Sequence, residues 1–168
     1  MAAEWVQVDP LVLELAEEII NEHCPDLLDA SIAFLFKTEA PQSNGQIVLG
    51  QAKKVGAEWQ ALGLDHDFFI WLAQDIWYSL DDNQKRALVH HELCHCGFSQ
   101  KEDEDPKPKM IPHDFEEFNI IIQLYGFWRP NSSRTIEAVQ AALPMMDFTE
   151  ARKARLSALD PAVLNGRG

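Results

Sequence analysis

The spacing of hydrophobic positions divides the first eighty residues into one helix and several strands. Apolar side chains recur at helical spacing over residues 10–23, and the Cys24-Pro25 step ends this predicted helix. Three later segments have the short apolar runs of strands: residues 30–37, 46–51 and 67–74. The turn-forming stretch from Pro41 to Gly45 predicts that the first two strands form an antiparallel hairpin. Residues 52–62 fit a strand or a helix.

A second helix is predicted over residues 82–96. Asp81 is a suitable N-cap, and Gln84 three residues later completes a capping box. Gly97 suits a left-handed stop after the helix. Apolar residues occupy nearly every side of this segment, which is typical of a buried helix. The charged, proline-containing stretch at 100–112 predicts a solvated loop.

The last turns of this helix contain the sequence His91-Glu92-Leu93-Cys94-His95, an H-E-x-x-H pattern. Residues four apart on a helix lie on one face, so the two imidazoles can hold one metal ion. Glu92 starts on a neighbouring face, from which it can reach a water molecule at that ion. The pattern therefore predicts zinc ligation together with a general base.

The third metal ligand must come from further along the chain, because a catalytic zinc usually has three protein ligands. A third helix is predicted to begin at Pro112 and to end at Gly126. His113 and Glu117 lie four residues apart near its start, so either side chain could complete the site. We favour His113, because imidazole is a frequent zinc ligand, and keep Glu117 as the alternative.

Two sequence blocks together resemble the putative phage metallopeptidases, small zinc-dependent proteins encoded by bacteriophages and prophages. The blocks are residues 87–96, and residues 112–118 with 125–128. The resemblance covers about residues 28–128, and a more distant similarity links the chain to SprT-like proteases. The resemblance implies that His91, His95 and His113 bind zinc. It also implies that Glu92 is the catalytic residue.

The resemblance further implies a zincin-like fold, which belongs to the α+β class. We expect a single domain over residues 1–168, in which a small, mostly antiparallel sheet packs on the metal-binding helix and flanking helices. Its core would span about residues 28–128, and residues 129–168 would form a C-terminal helical extension. In zincin-like folds an edge strand beside the metal helix binds the substrate by backbone pairing. Residues 68–74 are our candidate for that edge strand.

The composition restricts the partners and the compartment. A net charge of −13 argues against broad nucleic-acid binding, which needs a surface rich in lysine and arginine. No apolar run is long enough to cross a bilayer, and the first residues lack the pattern of a signal peptide. Three cysteines do not form a disulfide framework, and we read Cys94 and Cys96 as small buried residues rather than soft metal ligands. We expect a protein of the bacterial or phage-infected host cytoplasm.

Two functions from different classes fit these features. The leading hypothesis is a metallopeptidase with one Zn²⁺, in which Glu92 accepts a proton as a zinc-bound water attacks a peptide bond. Its substrate would be a protein or peptide that the sequence does not identify. The alternative is a non-catalytic, zinc-stabilised acidic interaction protein that binds or occludes a partner, whose zinc would be closed by four protein ligands.

Overall fold

The structure, a computed structural model, describes residues 3–99, 105–114 and 133–142. Its helices are α1 (Pro10–His23), α2 (Ala57–Ala61), α3 (Gln74–Trp77), α4 (Asp82–Cys94) and α5 (Ser133–Ala142), with a 3-10 turn at Pro25–Leu27. Its strands are β1 (Trp5–Gln7), β2 (Ile32–Lys37), β3 (Gln42–Ser43), β4 (Gln46–Ile47), β5 (Gly50–Lys54), β6 (Phe68–Ala73), β7 (Cys96–Ser99) and β8 (Lys107–Met110). The fold therefore belongs to the α+β class, as the sequence predicts.

Four strands form the main sheet, in the order β1-β2-β6-β5. Strand β2 is antiparallel to β1 and parallel to β6, and β5 is antiparallel to β6. The predicted hairpin between residues 30–37 and 46–51 is wrong, because β3 and β4 pair only with each other in a separate two-stranded ribbon. Pairing with β6 gives β2 a ladder of six residues from Ile32 to Lys37, longer than a hairpin with the short β4 would provide.

One face of the main sheet packs against α1 and α4 to form the core. Side chains of a strand alternate between the two faces, so Phe68, Ile70 and Leu72 of β6 all point into this core, where each is fully buried. The helices contribute Val12, Ala16, Ile19, Leu88, Val89 and Leu93. Full burial of a large apolar side chain contributes about 1.5–3 kcal/mol, so this packing fixes α4 against the sheet.

Helix α4 begins with the capping box that the sequence predicts. The Gln84 backbone N–H donates to Asp81 Oδ1 at 2.8 Å, and the Asp81 backbone N–H donates to Gln84 Oε1 at 3.0 Å. One turn later Arg86 donates to Glu18 at 2.8 Å and to Glu22 at 2.6 Å, both on α1. The capping box therefore determines where α4 begins, and the hydrogen bonds of Arg86 hold the first half of α4 against α1.

The end of α4 differs from the prediction. The helix ends at Cys94 with His95 as its C-cap, and Gly97 lies in β7 without a positive φ, so the predicted left-handed stop is wrong. Strand β7 pairs with β8, and this ladder takes the chain out of the helix earlier than the glycine would. The predicted loop at 100–112 is accordingly wrong for Lys107–Met110, while residues 100–104 lie outside the described part of the chain.

Burial of α4 is one-sided rather than complete. Leu88, Val89, Glu92 and Leu93 are buried, but His91 and Cys94 are exposed. The apolar residues of the sequence therefore overstate the burial of this helix, because Ala87 and Cys94 are small enough to be tolerated at the surface. The exposed side leaves part of the histidine pair accessible from solvent.

The chain separates into two compact units, residues 1–112 and 113–168. In the second unit the structure describes His113, Asp114 and helix α5. The single domain with a core at 28–128 and an extension at 129–168 stays a prediction. Of the predicted third helix, residues 112–114 are not helical, so its start at Pro112 is wrong, and residues 115–126 lie outside the described residues. Among the described helices, none has the length and apolar character needed to cross a membrane.

The capping box makes a prediction about stability. Replacing Asp81 with alanine removes the acceptor of the Gln84 N–H, and we expect the free energy of unfolding to fall by about 1 kcal/mol. Asp81→Asn keeps a capping oxygen and should cost less. Urea unfolding followed by circular dichroism compares the three proteins, and equal stability of all three would show that the box does not fix the start of α4.

Candidate metal centre and the adjoining sheet edge

His91 and His95 lie one turn apart at the end of α4, where they face each other. Their ring centroids are 5.0 Å apart, with the ring planes at 83°. This separation follows from helical geometry, because the His95 backbone keeps right-handed angles (φ −75°, ψ −16°) although the helix ends before it. The sequence prediction that these two imidazoles share one face agrees with the structure.

The His95 ring is oriented by the residue that follows strand β8. His95 Nδ1 lies 2.7 Å from the Ile111 carbonyl oxygen, and the Ile111 N–H donates to the His95 carbonyl oxygen at 2.8 Å. A carbonyl oxygen can only accept, so the proton of a neutral His95 ring resides on Nδ1. Nε2 then carries the lone pair, which is the tautomer that a metal-ligating histidine needs.

His113 follows Ile111 by two residues, and it joins the histidine pair. One ring nitrogen from each of His91, His95 and His113 lies within 4.8 Å of the others. Within residues 3–99, 105–114 and 133–142, this is the one group of three or more His, Cys, Asp or Glu side chains with such spacing. Three imidazoles, one held in the correct tautomer, are a donor set that fits zinc. Glu117, the alternative ligand, lies outside the described residues.

Glu92 is buried beside the first residue of strand β5. Only 4% of its surface is exposed, although it is adjacent in sequence to the exposed His91. A Cβ atom placed on Gly50 would lie 3.1 Å from Glu92 Oε1 and 3.0 Å from both Leu72 Cδ2 and the Trp71 carbonyl oxygen. Glycine is therefore the residue that lets the backbone of β5 approach the carboxylate this closely.

Strand β5, and not residues 68–74, is the edge of the sheet next to α4. The candidate edge in the sequence became β6, which lies inside the sheet with β2 on one side and β5 on the other. The interior position of β6 explains its run of apolar residues from Phe68 to Ala73, because a strand with neighbours on both sides and the core on one face tolerates few polar side chains. The edge strand is the more polar Gly50-Gln51-Ala52-Lys53-Lys54.

The outer backbone groups of β5 face away from the sheet. Ala73 N–H donates to Leu49 O at 2.8 Å and Val55 N–H donates to Asp67 O at 3.0 Å, which fixes the hydrogen-bonded pairs of the β5–β6 ladder. Because such pairs alternate in an antiparallel ladder, the N–H and C=O groups of Gly50, Ala52 and Lys54 point outward. In the described chain no backbone group pairs with them. We call these outward groups the β5 edge.

His90 and Cys96 pack into the protein, whereas Cys94 is exposed, so the prediction that Cys94 is a small buried residue is wrong. His90 stacks on His23 of α1 with ring centroids 5.1 Å apart, and burial, together with His23 and Arg86, lowers the pKa of His90. Cys96 is buried in the core and its thiol lies 3.7 Å from the Glu92 carbonyl oxygen. Burial chiefly, with Glu92, Cys24 and Cys94, raises the pKa of Cys96 to about 12. Cys96 therefore stays a thiol, in agreement with its interpretation as a small buried residue.

The comparison with protein families agrees with this geometry. A family model described as "Putative phage metallopeptidase" matches residues 3–142. The chain belongs to the putative phage metallopeptidase family. No curated protein and no solved structure matches the chain significantly. Membership extends the resemblance beyond residues 28–128, and the family name implies a metal ion and a protein or peptide substrate.

Two parts of this region could not be identified from the sequence of this metallopeptidase family member. Gly50 gave no signal, because a single glycine at the start of a strand is common and its contact with Glu92 is non-local. Ile111 acts through its backbone groups, which every residue type possesses. Only the strand pairing of β7 with β8 brings it to His95.

The close approach of β5 to Glu92 can be tested through stability. Gly50→Ala places a methyl group against Glu92, Leu72 and the Trp71 backbone, and we expect a loss of about 1–3 kcal/mol of unfolding free energy from overpacking. Gln51→Ala on the same strand is the matched control, since its side chain is exposed.

A double-mutant cycle separates the contact between residue 50 and Glu92 from its contacts with Leu72 and the Trp71 backbone. If Gly50→Ala collides with the carboxylate, its cost will be smaller in a Glu92→Ala background, where the methyl group finds space. Denaturant unfolding of the four proteins gives the coupling free energy. Equal costs in the two backgrounds would show that Glu92 does not restrict residue 50.

Proposed function

We propose that this protein is a zinc-dependent metallopeptidase, encoded by a bacteriophage or prophage, that hydrolyses peptide bonds with Glu92 as general base. The observation that carries the proposal is the convergence of His91, His95 and His113 at the end of the helix that contains the buried Glu92. The family to which the chain belongs supports the metallopeptidase class.

In this proposal His91, His95 and His113 hold the zinc ion. Once bound, zinc lowers the pKa of a water molecule and polarises the carbonyl of the substrate. Glu92 accepts the proton of the attacking water and delivers a proton to the departing amine. Burial of Glu92 by the core and by Gly50 restricts its side chain, so the carboxylate is oriented before the substrate arrives.

In this proposal the substrate binds at the β5 edge. An extended peptide can pair with the outward N–H and C=O groups of Gly50, Ala52 and Lys54, as peptides add to exposed sheet edges in other proteins. Because Gly50 also borders Glu92, a peptide bound there runs past the carboxylate. This assigns to β5 the substrate-binding role that the sequence analysis gave to residues 68–74.

The alternative function, a zinc-stabilised acidic interaction protein, has less support. A structural zinc site is closed by four protein ligands, whereas the group in the described residues contains three. Cys96, one candidate for a fourth ligand, is turned into the core with a raised pKa. A buried glutamate next to a sheet edge with which no described strand pairs also has no use in a purely structural site.

We further propose that the protein acts in the cytoplasm of the bacterial host. None of the three cysteines, Cys24, Cys94 and Cys96, forms a disulfide bond. Cysteines without disulfide bonds are typical of proteins in reducing compartments.

The role of Glu92 is tested by Glu92→Gln, which keeps the shape of the side chain but removes the base. We expect zinc content to stay unchanged and the hydrolysis of fluorescence-quenched peptides to fall by about 10²–10⁴-fold. Glu58→Gln changes an exposed glutamate of α2 and is the matched control. Peptide hydrolysis that persists in Glu92→Gln at the wild-type rate would contradict the mechanism.

The identity of the third ligand is tested by zinc affinity. His113→Ala should weaken zinc binding by more than about 100-fold, beyond the effect of losing a residue that only orients a ligand. Competition with a chromophoric chelator measures this affinity, and His90→Ala serves as the control because His90 stacks on His23. If Glu117→Ala weakened zinc binding and His113→Ala did not, Glu117 would be the ligand.

A further inference from the structure

The end of strand β5 that lies away from Glu92 is positively charged, in contrast to the rest of the chain. Lys53 and Lys54 end this strand, and both are exposed. Neither forms an ion pair with any residue in the described ranges. Strand β8, which packs beside β5, adds Lys107 and Lys109. Four of the eight lysines of a chain with a net charge of −13 thus lie on two neighbouring strands.

The distance of these lysines from Glu92 follows from the geometry of a strand. Gly50 borders the carboxylate, and Lys53 and Lys54 are three and four residues further along. At a rise of about 3.4 Å per residue, they stand roughly 10 and 14 Å from Gly50. A peptide paired with the β5 edge advances at the same rate, so its third and fourth residues from the cleaved bond lie opposite the lysines.

A cavity next to Lys53 leaves room for such a side chain. Lys53 pairs with Phe69, so both point to the sheet face opposite the core. On this face a cavity of about 660 Å³ is lined by Lys53 and His66 and by apolar residues that include Trp59 and Leu64. Lys54 also borders the cavity, although it pairs with Phe68 and its side chain therefore leaves the strand on the opposite face. No carboxylate belongs to its lining among the described residues. An acidic side chain in this cavity therefore meets the Lys53 ammonium group and an apolar wall.

We propose that the β5 edge selects extended peptides with aspartate or glutamate three or four residues from the bond that is cleaved. This inference rests on the proposed function, because it takes Glu92 as the position of the cleaved bond. Lys53 and Lys54 are the specificity-determining residues. The selected substrate class is an acidic peptide segment, which the chain's own negative charge would otherwise repel.

Peptide binding to zinc-loaded Glu92→Gln protein tests the selectivity without cleavage. The probes are three fluorescein-labelled peptides that share the same apolar central sequence. They differ only at the third and fourth residues on each side of the central peptide bond, which are aspartate in one peptide, asparagine in the second and lysine in the third. Fluorescence anisotropy should show that the aspartate peptide binds most tightly and that added salt weakens its binding. Each of Lys53→Gln and Lys54→Gln should weaken the binding of the aspartate peptide by about two- to fivefold and leave the binding of the asparagine peptide unchanged.

Charge reversal gives the sharpest comparison. Lys53→Glu combined with Lys54→Glu should reverse the order, so that the lysine peptide binds more tightly than the aspartate peptide. Lys85→Glu is the control for the change in net charge, because Lys85 lies on α4 over the Trp77 ring. Lys53→Glu and Lys54→Glu are also measured singly, because each changes the net charge by the same amount as Lys85→Glu. If Lys85→Glu reduced aspartate-peptide binding as much as these single reversals, the effect would come from the overall charge, and the inference would be overturned.

Cleavage by the wild-type protein separates this inference from the proposed function. Faster hydrolysis of the aspartate peptide, with the preference lost in the charge-reversed protein, supports both. Equal hydrolysis of all three peptides overturns the selectivity and leaves the peptidase intact. Binding that depends on Lys53 and Lys54 but is followed by no hydrolysis supports the selectivity of the β5 edge for acidic peptides, and it contradicts the proposed peptidase activity.

Discussion

The burial of the Glu92 carboxylate against the first residue of β5 is the constraint on which the rest of the site depends. A carboxylate with 4% exposure needs a fixed polar environment, since an ion moved out of water costs several kcal/mol. The core side of α4 supplies one wall, and the backbone of β5 at Gly50 supplies the other. Helix α4 therefore cannot shift along the sheet without moving the carboxylate, and a side chain at residue 50 would require its neighbours to move by a few tenths of an ångström.

Local features of the site and of the fold could be predicted from the sequence because their causes are local. Helix α1 has the predicted bounds, Pro10–His23, since its apolar period, its first proline and its Cys24-Pro25 end lie within the segment. The capping box of α4 depends on two residues three apart. The facing of His91 and His95 depends only on helical geometry. The α+β class and the family follow from such features together.

The order of the strands could not be predicted, because it depends on contacts between distant segments. The turn at residues 41–45 forms a hairpin as predicted, but this hairpin contains only β3 and β4. Strand β2 instead pairs in parallel with β6, which is more than thirty residues away in the sequence. This pairing places β6 inside the sheet and leaves β5 at its edge. An apolar run shows that a strand is buried, but it does not show which neighbours bury it.

The two hydrogen bonds between His95 and Ile111 join the candidate metal site to the folding of the β7–β8 hairpin. They orient the His95 ring, and they also bring the chain back to the end of α4 two residues before His113. The third imidazole therefore reaches the other two only when β8 has paired with β7. A metal ion that binds all three nitrogens stabilises this paired state by mass action, because the unfolded chain does not present them together. If these three nitrogens bind a metal ion, metal binding and hairpin formation are thermodynamically linked, and a substitution that weakens the hairpin should weaken metal binding even where it leaves the three histidines unchanged.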